Sequence, residues 1–431
     1  MPRPSGLLIQ SNQLICPDIK KYALMGELSL NGNLRACSGV LPMVIEAKTQ
    51  GIKNIIVPLE NLNEARLVRD LNIFAFEELL DVVSFLQDRD SYSPIEVHPN
   101  YTLDASHYIS DFSDVKGQDY AIEFICVAAA GGHNLLMSST PGCGKSMIAK
   151  RIPTILPSMT EEEALEITKI YSVAGLLKNK SRLITERPFR TPHHNASMNS
   201  LIGGGTFAMP GEISLSHNGI LFLDEIAEFN KRTLDALRQP IEDGYVTISR
   251  VQHSHKFPAN FMLVAAMNPC PCGYFGDPRC RCTDYEILKY RSRLSGPIMD
   301  RIDIQKNFRT LNILDLQNHA PGPSSKSLRK KVEHSRAIQK KRYKQFPGIN
   351  CNAQMTPNLI ETYCQLDSSS IEILRQAYDK FNYSARTYHK FLKLARTFAD
   401  MEGKDSINKF HIIKALMCRE IEKEQARLHT V

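Results

Sequence analysis

The sequence predicts an α/β protein in which helices cover a parallel β-sheet, with a helical region after it and a smaller α/β unit before it. Between residue 112 and about residue 310, short apolar runs alternate with helical patterns, as in parallel sheets. The break at 318–325 (NHAPGPSS) is followed by a mostly helical pattern. Near the N-terminus, strand-like runs at 53–57 and 72–76 accompany helical patterns at 43–50 and 61–68.

Composition is that of an ordinary globular protein and excludes several classes. The 431 residues are 42% hydrophobic and 23% charged, which excludes collagen-like and disordered chains and suggests two to four domains. No apolar run approaches the ~18 residues of a membrane helix, and the N-terminus lacks the apolar core of a signal peptide. Eleven cysteines, an odd number, do not indicate a disulfide framework. We therefore expect a cytoplasmic protein with no membrane partner.

Charge is unevenly distributed along the chain. The net charge of +7 is mild and only permits a nucleic-acid partner. Residues 326–345, however, carry nine basic residues and one acidic residue. This segment is predicted to be a helix, either a DNA contact or a solvated connecting helix.

The clearest motif lies in LLMSSTPGCGKSMIAK (135–150), where an apolar strand runs into a glycine-rich, phosphate-binding loop and then into a helix. Glycines let backbone N–H groups curl around phosphates, Lys145 is expected to reach the β- and γ-phosphates of ATP, and the Ser146 hydroxyl to hold Mg²⁺. Ser139 replaces the first glycine of the usual pattern. The predicted nucleotide-binding residues are Ser139, Thr140, Pro141, Gly142, Cys143, Gly144, Lys145, Ser146 and Asp224.

Two later apolar strands end in polar residues. The run GILFLDE (219–225) delivers Asp224 and Glu225 at its carboxyl end, where ligands bind in open α/β sheets. Asp224 is predicted to hold Mg²⁺, and Glu225 to polarise the attacking water. The run FMLVAAMN (261–268) ends in Asn268, whose amide is predicted to orient that water.

Arginines suited to stabilising a transferring phosphoryl group follow these strands. Arg291, Arg293 and Arg301 lie in YRSRLSGPIMDRIDI, and Arg386 opens a later helical pattern. In a ring-shaped ATPase such an arginine acts on the nucleotide of the neighbouring subunit. A surface salt bridge is the ordinary alternative for each of them.

Four cysteines form the pattern C-x-C-x7-C-x-C: Cys270, Cys272, Cys280 and Cys282. Four thiolates bind Zn²⁺ tetrahedrally, although the usual spacing is C-x2-C. Structural Zn²⁺ and free or redox-sensitive thiols both remain open from the sequence. Cys143, inside the phosphate loop, is read as a small filling residue.

The order of these motifs resembles that of AAA+ ATPases, and longer strings narrow the resemblance. RPFRTPHHNAS (187–197), GEISLSHNGILFLDEIAEF (211–229), LRQPIEDG (237–244), NPCPCGYFGD (268–277) and RLSGPIMDRID (293–303) are similar to the magnesium-chelatase-like ComM/YifB family. The resemblance covers nearly the whole chain. It implies a P-loop AAA+ core with a helical lid behind a Lon-protease-like domain. ComM members are linked to DNA branch migration in natural transformation as hexameric, helicase-like rings.

The resemblance also assigns roles to residues. Lys145 and Ser146 match the phosphate loop, and Asp224 and Glu225 match the Walker B pair. Asn268 matches sensor 1, Arg301 the trans-acting arginine finger and Arg386 sensor 2. Arg291 and Arg293 are the alternatives for the finger.

The expected domains are 1–88, a partial Lon-like domain; 89–111, a linker; 112–317, the ATPase core; and 318–431, a connecting helix and lid. Lon proteases use a Ser–Lys dyad, but Leu41 and Pro42 stand where the lysine should follow Gly39. The half that would carry the serine is missing, so the chain is expected to begin late in that domain and not to be a protease.

Two segments of the predicted core are candidates for DNA contact. The long interval between Ser146 and Asp224 is predicted to hold a basic, glycine-hinged inserted loop with Arg187 and Arg190, although its paired histidines leave a metal site open. The run YVTISRVQHSHKFP (245–258) is predicted to form a hairpin, which in related motors lines the ring channel. Its basic side chains Arg250, His253 and Lys256 would grip phosphates without reading sequence.

The predicted function is a Mg²⁺-dependent, ATP-hydrolysing ring motor that acts on single-stranded or branched DNA, of helicase or branch-migration type. A chelatase-like or chaperone motor that remodels a protein or a metal-insertion partner shares the same core and is the main alternative. A non-catalytic remnant is the third.

Overall fold

The computed structural model describes residues 2–95, 108–177, 182–205, 208–249, 254–308, 322–381 and 383–428. The chain divides into two compact units, which are described separately. The first contains Met1–Ser106 and Met159–Glu186, and the second contains His107–Ser158 and Arg187–Val431. Residues 159–186, which the sequence reading placed inside the ATPase core, therefore lie in the first unit.

The strands are, in chain order, β1 Tyr22–Leu24, β2 Glu27–Leu28, β3 Leu34–Arg35, β4 Asn54–Pro58, β5 Asn72–Phe76, β6 Leu135–Ser138, β7 Phe189–Arg190, β8 Gly203–Gly204, β9 Met209–Pro210, β10 Ile220–Leu223, β11 Tyr245–Ser249, β12 Ser254–Pro258, β13 Met262–Met267 and β14 Ile304–Asn307.

The α-helices are α1 Pro2–Gln10, α2 Val40–Thr49, α3 Leu62–Ala65, α4 Leu79–Gln87, α5 Asp119–Gly131, α6 Lys145–Ala149, α7 Glu161–Val173, α8 Met198–Ile202, α9 Glu212–Leu215, α10 Lys231–Asp235, α11 Arg238–Asp243, α12 Asp284–Arg291, α13 Gly296–Met299, α14 Ser325–Arg342, α15 Pro357–Tyr363, α16 Ser368–Phe381, α17 Ala385–Met401, α18 Lys409–Met417 and α19 Glu420–Leu428.

The first unit is built on a three-stranded parallel sheet in the order β1-β4-β5. The two predicted strands are confirmed. Helix α2 begins three residues before the predicted start because Gly39 (φ +76°) ends the preceding turn in the left-handed region and Pro42 fits the first helical turn. Helix α3 is shorter than predicted. Helix α7 adds Ala164 and Ile167 to the core of this unit.

A buried carboxylate connects the pieces of the first unit. Glu64 is 2% exposed. Its Oε1 accepts hydrogen bonds from the Leu41 backbone N–H (3.0 Å) and from the Ser172 hydroxyl, and its Oε2 accepts one from the Asn61 amide (3.3 Å). Because Ser172 belongs to α7, this carboxylate joins residues 159–186 to the rest of the unit.

The second unit contains the predicted parallel sheet, with five strands in the order β14-β6-β13-β10-β7. Its registers place Leu223 of β10 beside Ala265 of β13, and Met267 of β13 beside Ser138 of β6. Parallel pairing brings the carboxyl ends of these strands to one edge of the sheet.

Alternating strand residues face two separate cores, as the period of two along a strand requires. One core lies under α5, α14 and α17, and the other is packed with residues of α10 and α13. Residues of the first face include Leu135, Met137, Phe222 and Val264. Residues of the second include Leu136, Leu221, Leu223 and Leu263. These strands are nearly continuous apolar runs because helices cover both faces.

The C-terminal region of the second unit is helical, as predicted, and buried ion pairs attach it to the sheet. Asp303 forms an ion pair with Lys390 of α17 (2.9 Å) and lies 3.6 Å from His133. Burial tends to raise the pKa of Asp303, but the Lys390 ammonium and the contact with the His133 ring outweigh it and hold the pKa well below its usual range. Asp400, also on α17, pairs with Arg342 and Arg396.

The basic run that was predicted to be a helix forms α14, with Leu328, Val332, Ser335 and Gln339 buried. Half of the second predicted break, residues 318–321 of 318–325, lies outside the described residues, as do 96–107 of the predicted linker. None of the helices in the described residues combines the length and the apolar composition needed to cross a bilayer.

The hydrogen bonds of Glu64 predict the effect of removing its charge without changing its shape. In Glu64→Gln an amide N–H₂ replaces one accepting oxygen and faces a donor. We expect the first unit to lose about 1–3 kcal/mol of unfolding free energy, read by urea unfolding and by proteolysis of residues 159–186. Glu60→Gln, at an exposed site in the same segment, is the control. Equal stability of the two variants would contradict this role.

Candidate functional site

The loop between β6 and α6 has the geometry of a phosphate cradle. Gly142 and Gly144 both adopt left-handed backbone conformations (φ +81° and +79°), which side chains with a Cβ rarely allow. A Cβ on Gly142 would meet nothing within 4 Å, so its backbone faces open space. The loop therefore has room for a phosphate against its main chain.

Lys145 lies across this loop. Its Nζ donates to the carbonyl oxygens of Ser139 (2.7 Å) and Thr140 (3.4 Å) and to Oδ1 of Asn268 (3.2 Å). Burial lowers the pKa of the Lys145 ammonium. A γ-phosphate that replaced these neutral acceptors would restore a full counter-charge to a partly desolvated cation.

Ser146 and Asp224 meet at the same edge of the sheet. The Ser146 hydroxyl donates to Asp224 Oδ2 at 2.6 Å. A hydroxyl and a carboxylate side by side are oxygen ligands that suit Mg²⁺, so the donor set fits the expected ion. Bound there, Mg²⁺ would neutralise phosphate charge.

Glu225, the residue after Asp224, has an unusual backbone conformation. It adopts φ +50°, unusual for a residue with a side chain, and its N–H donates to Asp224 Oδ1 at 3.0 Å. This turn leaves the Glu225 side chain 55% exposed. Strain of this kind is concentrated at functional sites, and the carboxylate is free to face water at the phosphate edge.

His194 is a neighbour of Glu225 that the sequence reading did not identify. Its Nδ1 lies 3.7 Å from Glu225 Oε2, and its ring stacks on His193 at 4.1 Å. The strand order gives a reason for this contact. His194 follows β7, and Arg190 of β7 lies beside Leu221 of β10 in parallel register. Residues after parallel neighbours share an edge, so the histidine pair stands beside the acid that would activate water.

Arg301 lies at the opposite edge of the sheet from Lys145. Its carbonyl accepts a hydrogen bond from Asn134 (3.0 Å), the residue before β6. The four-residue β6 separates the two edges by about 13 Å. The Arg301 guanidinium donates to the Arg238 carbonyl (3.1 Å) and pairs with Glu242 (2.6 Å).

Arg386 pairs with the same carboxylate, Glu242. It lies in the first turn of α17, which Lys390 attaches to Asp303 at this edge. The two arginines assigned to finger and sensor 2 are thus brought together, away from the phosphate loop of their own chain. Glu242 lies in the string LRQPIEDG (237–244), and no local sequence pattern predicts that it pairs with these arginines.

The alternative fingers have partners of their own. Arg291 is 4% exposed, donates to the Pro269 carbonyl (3.2 Å) and pairs with Glu424 (3.2 Å). Arg293 pairs with Glu228 at 2.7 Å. Each of these two arginines thus has partners within the chain, which is consistent with a structural role.

The residues predicted to contact DNA lie in different settings. Arg187 donates to the carbonyls of Pro157 (2.8 Å) and Asn218 (2.7 Å), and Arg190 forms a bidentate pair with Glu212. The predicted hairpin is confirmed as β11–β12. Lys256 is exposed on it, with its Nζ 3.4 Å from the Tyr245 ring centroid. Arg250 and His253 lie outside the described residues.

The four cysteines converge after Asn268. Their sulfur atoms all lie within 4.8 Å of one another, and all four thiols are free. Backbone hydrogen bonds from Arg281 and Tyr274 lower the pKa of Cys272 to about 6, which favours a thiolate. The sequence pattern thus corresponds to a compact cluster beside the predicted sensor.

Lys145 generates a direct prediction for nucleotide binding. In Lys145→Ala we expect the affinity for a fluorescent ATP analogue to fall by about tenfold or more, since a charge-assisted contact to phosphate is lost. Lys150→Ala, an exposed lysine one turn away, should bind as the unmodified chain does. Equal affinities in both variants would argue against a phosphate at this loop.

Models of known families match most of the chain. The family model "Magnesium chelatase, subunit ChlI" matches residues 111–316, and its C-terminal model matches residues 322–419. A further model, "Subunit ChlI of Mg-chelatase", matches residues 4–61.

Curated relatives match over almost the whole chain. The chain is 40% identical to the competence protein ComM of Haemophilus influenzae over 421 residues, which is 96% of this chain and 81% of that protein. It is 39% identical to the uncharacterised protein YifB of Salmonella typhimurium over 98% of this chain and 82% of that protein. A magnesium-chelatase 67 kDa subunit of Chlorobaculum tepidum is a distant match, 26% identical over 37% of this chain and 23% of that subunit. The chain belongs to the magnesium-chelatase-like ComM/YifB family of AAA+ proteins.

Proposed function

We propose that this protein is a Mg²⁺-dependent ATPase that assembles into a hexameric ring and moves branched or single-stranded DNA. The ATPase proposal rests on one observation. Lys145, Ser146, Asp224 and Asn268 lie together at one edge of the sheet, with Glu225 beside them. The role proposed for each of these residues follows from its position at this edge.

Hydrolysis would use the groups of that edge in separate roles. Lys145 binds phosphate oxygens, and Ser146 and Asp224 hold Mg²⁺. Asn268 lies 3.2 Å from Lys145 Nζ and is placed to orient the attacking water. Glu225 accepts a hydrogen bond from that water and takes its proton as the water oxygen bonds to the γ-phosphorus. The bond from that phosphorus to the bridging oxygen breaks in the same step, and ADP leaves with that oxygen.

The positions of Arg301 and Arg386 support action between subunits. Both are anchored on Glu242 at the edge away from their own phosphate loop. An arginine at that edge can complete a site only on another chain. A site on one edge and its complement on the other give head-to-tail contacts, which form a ring when the rotation between neighbouring chains closes.

DNA is the partner we propose for the motor. The relative ComM is named a competence protein, and the family resemblance implies branch migration. Lys256 is exposed on the β11–β12 hairpin, where a cation can bind phosphate. A chelatase-like motor remains the second candidate because of the match to the magnesium-chelatase family models, and the DNA experiment below separates the two.

Mixed assemblies test the action of arginine between subunits. Arg301→Ala and Glu225→Gln should each lower the turnover number by about a thousandfold. When the two variants are mixed, ATPase activity should recover, because Arg301 of a Glu225→Gln chain completes the site of an Arg301→Ala chain. Arg293→Ala, which removes the pair with Glu228 and the contact with the Tyr290 ring, should stay active. Mixed rings without recovery would contradict the assignment.

DNA dependence tests the partner. We expect branched DNA to stimulate ATP hydrolysis several-fold, and Lys256→Ala to reduce the slope of log affinity against log salt by about one. Lys20→Ala, at an exposed site in the first unit, should leave both unchanged. An ATPase that neither single-stranded nor branched DNA stimulates, with an unaltered slope in Lys256→Ala, would favour the chelatase-like motor.

A further inference from the structure

The cysteine cluster has the dimensions of a metal site. A Zn–S distance of about 2.3 Å places the corners of a tetrahedron about 3.8 Å apart. The sulfur atoms of Cys270 and Cys272 are 3.3 Å apart, those of Cys272 and Cys280 are 3.7 Å apart, and those of Cys270 and Cys280 are 3.9 Å apart. Cys282 completes the group within 4.8 Å. The spacing is that of four ligands around one ion.

Two glycine turns and one backbone donor shape the loop that carries these thiols. Gly273 and Gly276 turn the chain with left-handed conformations (φ +85° and +86°). The Phe275 N–H donates to Cys270 Sγ at 3.2 Å, an interaction that stabilises negative charge on sulfur. A chain with no disulfide among its described residues keeps these thiols available.

The same loop touches the phosphate loop. A Cβ built on Gly273 would lie 2.8 Å from both Cγ and Cδ of Pro141 and 4.0 Å from the Asn268 amide carbon. The backbone of the cysteine loop therefore packs directly against the ring of Pro141. Arg291 joins the contact, since its Nε donates to the Pro269 carbonyl and its guanidinium lies 5.1 Å from the Phe275 ring.

We propose that Cys270, Cys272, Cys280 and Cys282 bind one Zn²⁺ ion, and that the metal-stapled loop positions the phosphate loop and Asn268 for nucleotide. The second part rests on the proposed ATP site, and the first does not. Zn²⁺ here has no open coordination position, so its role is to fix the loop. Because Gly273 packs against Pro141, a fixed cysteine loop also holds the phosphate loop in place.

Metal content tests the site itself. The full chain, purified under reducing conditions without chelator, should contain about one zinc ion per chain by mass spectrometry. Cys272→Ser and Cys280→Ser should lose it, and Cys282→His should retain it because imidazole is also a zinc ligand. Cys37→Ser, a half-buried cysteine of the first unit, is the control. Zinc-free protein with four reactive thiols in this loop would overturn the proposal.

Nucleotide affinity tests the coupling, with two glycines as a matched pair. Gly273 and Gly276 have nearly equal φ, but a Cβ on Gly276 would meet nothing within 4 Å. Both Gly273→Ala and Gly276→Ala should keep zinc. Only Gly273→Ala should weaken binding of a fluorescent ATP analogue, by about tenfold to a hundredfold, because it displaces Pro141.

The two readouts separate the possible failures. Equal affinity in the two glycine variants would overturn the coupling and leave the metal site standing. Cys282→His should bind the analogue as the unmodified chain does, whereas Cys280→Ser should bind it weakly. If the unmodified chain binds zinc but no nucleotide, the proposed ATPase fails and the metal site does not. Neither measurement needs DNA or turnover.

Discussion

The parallel register of β6, β13 and β10 is the constraint on which the site depends. Because Ser138, Met267 and Leu223 end neighbouring strands, the residues that follow them must share one edge. A slip of one residue in any pair would exchange the two buried faces of that strand. Burial on both faces therefore fixes the site: the cores that hold Leu136 and Phe222 also hold Lys145 against Asn268 and Ser146 against Asp224.

The opposite edge is fixed by charge rather than by apolar packing. Asp303 carries its charge in a buried position because Lys390 and His133 supply partners, and breaking such a group is costly. This pairing holds the first turns of α17 at the amino-terminal edge of the sheet. Arg386 consequently meets Glu242 and Arg301 there, instead of folding over the phosphate loop of its own chain.

The sequence was sufficient where local pattern decides structure. The strand ends, the glycine loop, the β11–β12 hairpin and the basic helix α14 were all predictable, because each depends on residues close together in the chain. Three features were not. The assignment of residues 159–186 to the first unit depends on Glu64 meeting Ser172. The pairing of two distant arginines with Glu242 and the packing of Gly273 on Pro141 are also contacts between remote segments, for which periodicity carries no signal.

The shared carboxylate suggests how nucleotide and DNA are linked in the proposed motor. Glu242 pairs with both Arg301 and Arg386 in the single chain, and a phosphate on a neighbouring chain would compete for both cations. Glu242 lies in α11, whose last residue Asp243 is separated from strand β11 only by Gly244, in a left-handed turn (φ +71°). A shift of α11 as its carboxylate loses or regains the two arginines would therefore pass through one residue to the hairpin that carries Lys256. In the proposed motor, Gly244 is thus the whole connection between the helix that anchors the two arginines and the hairpin.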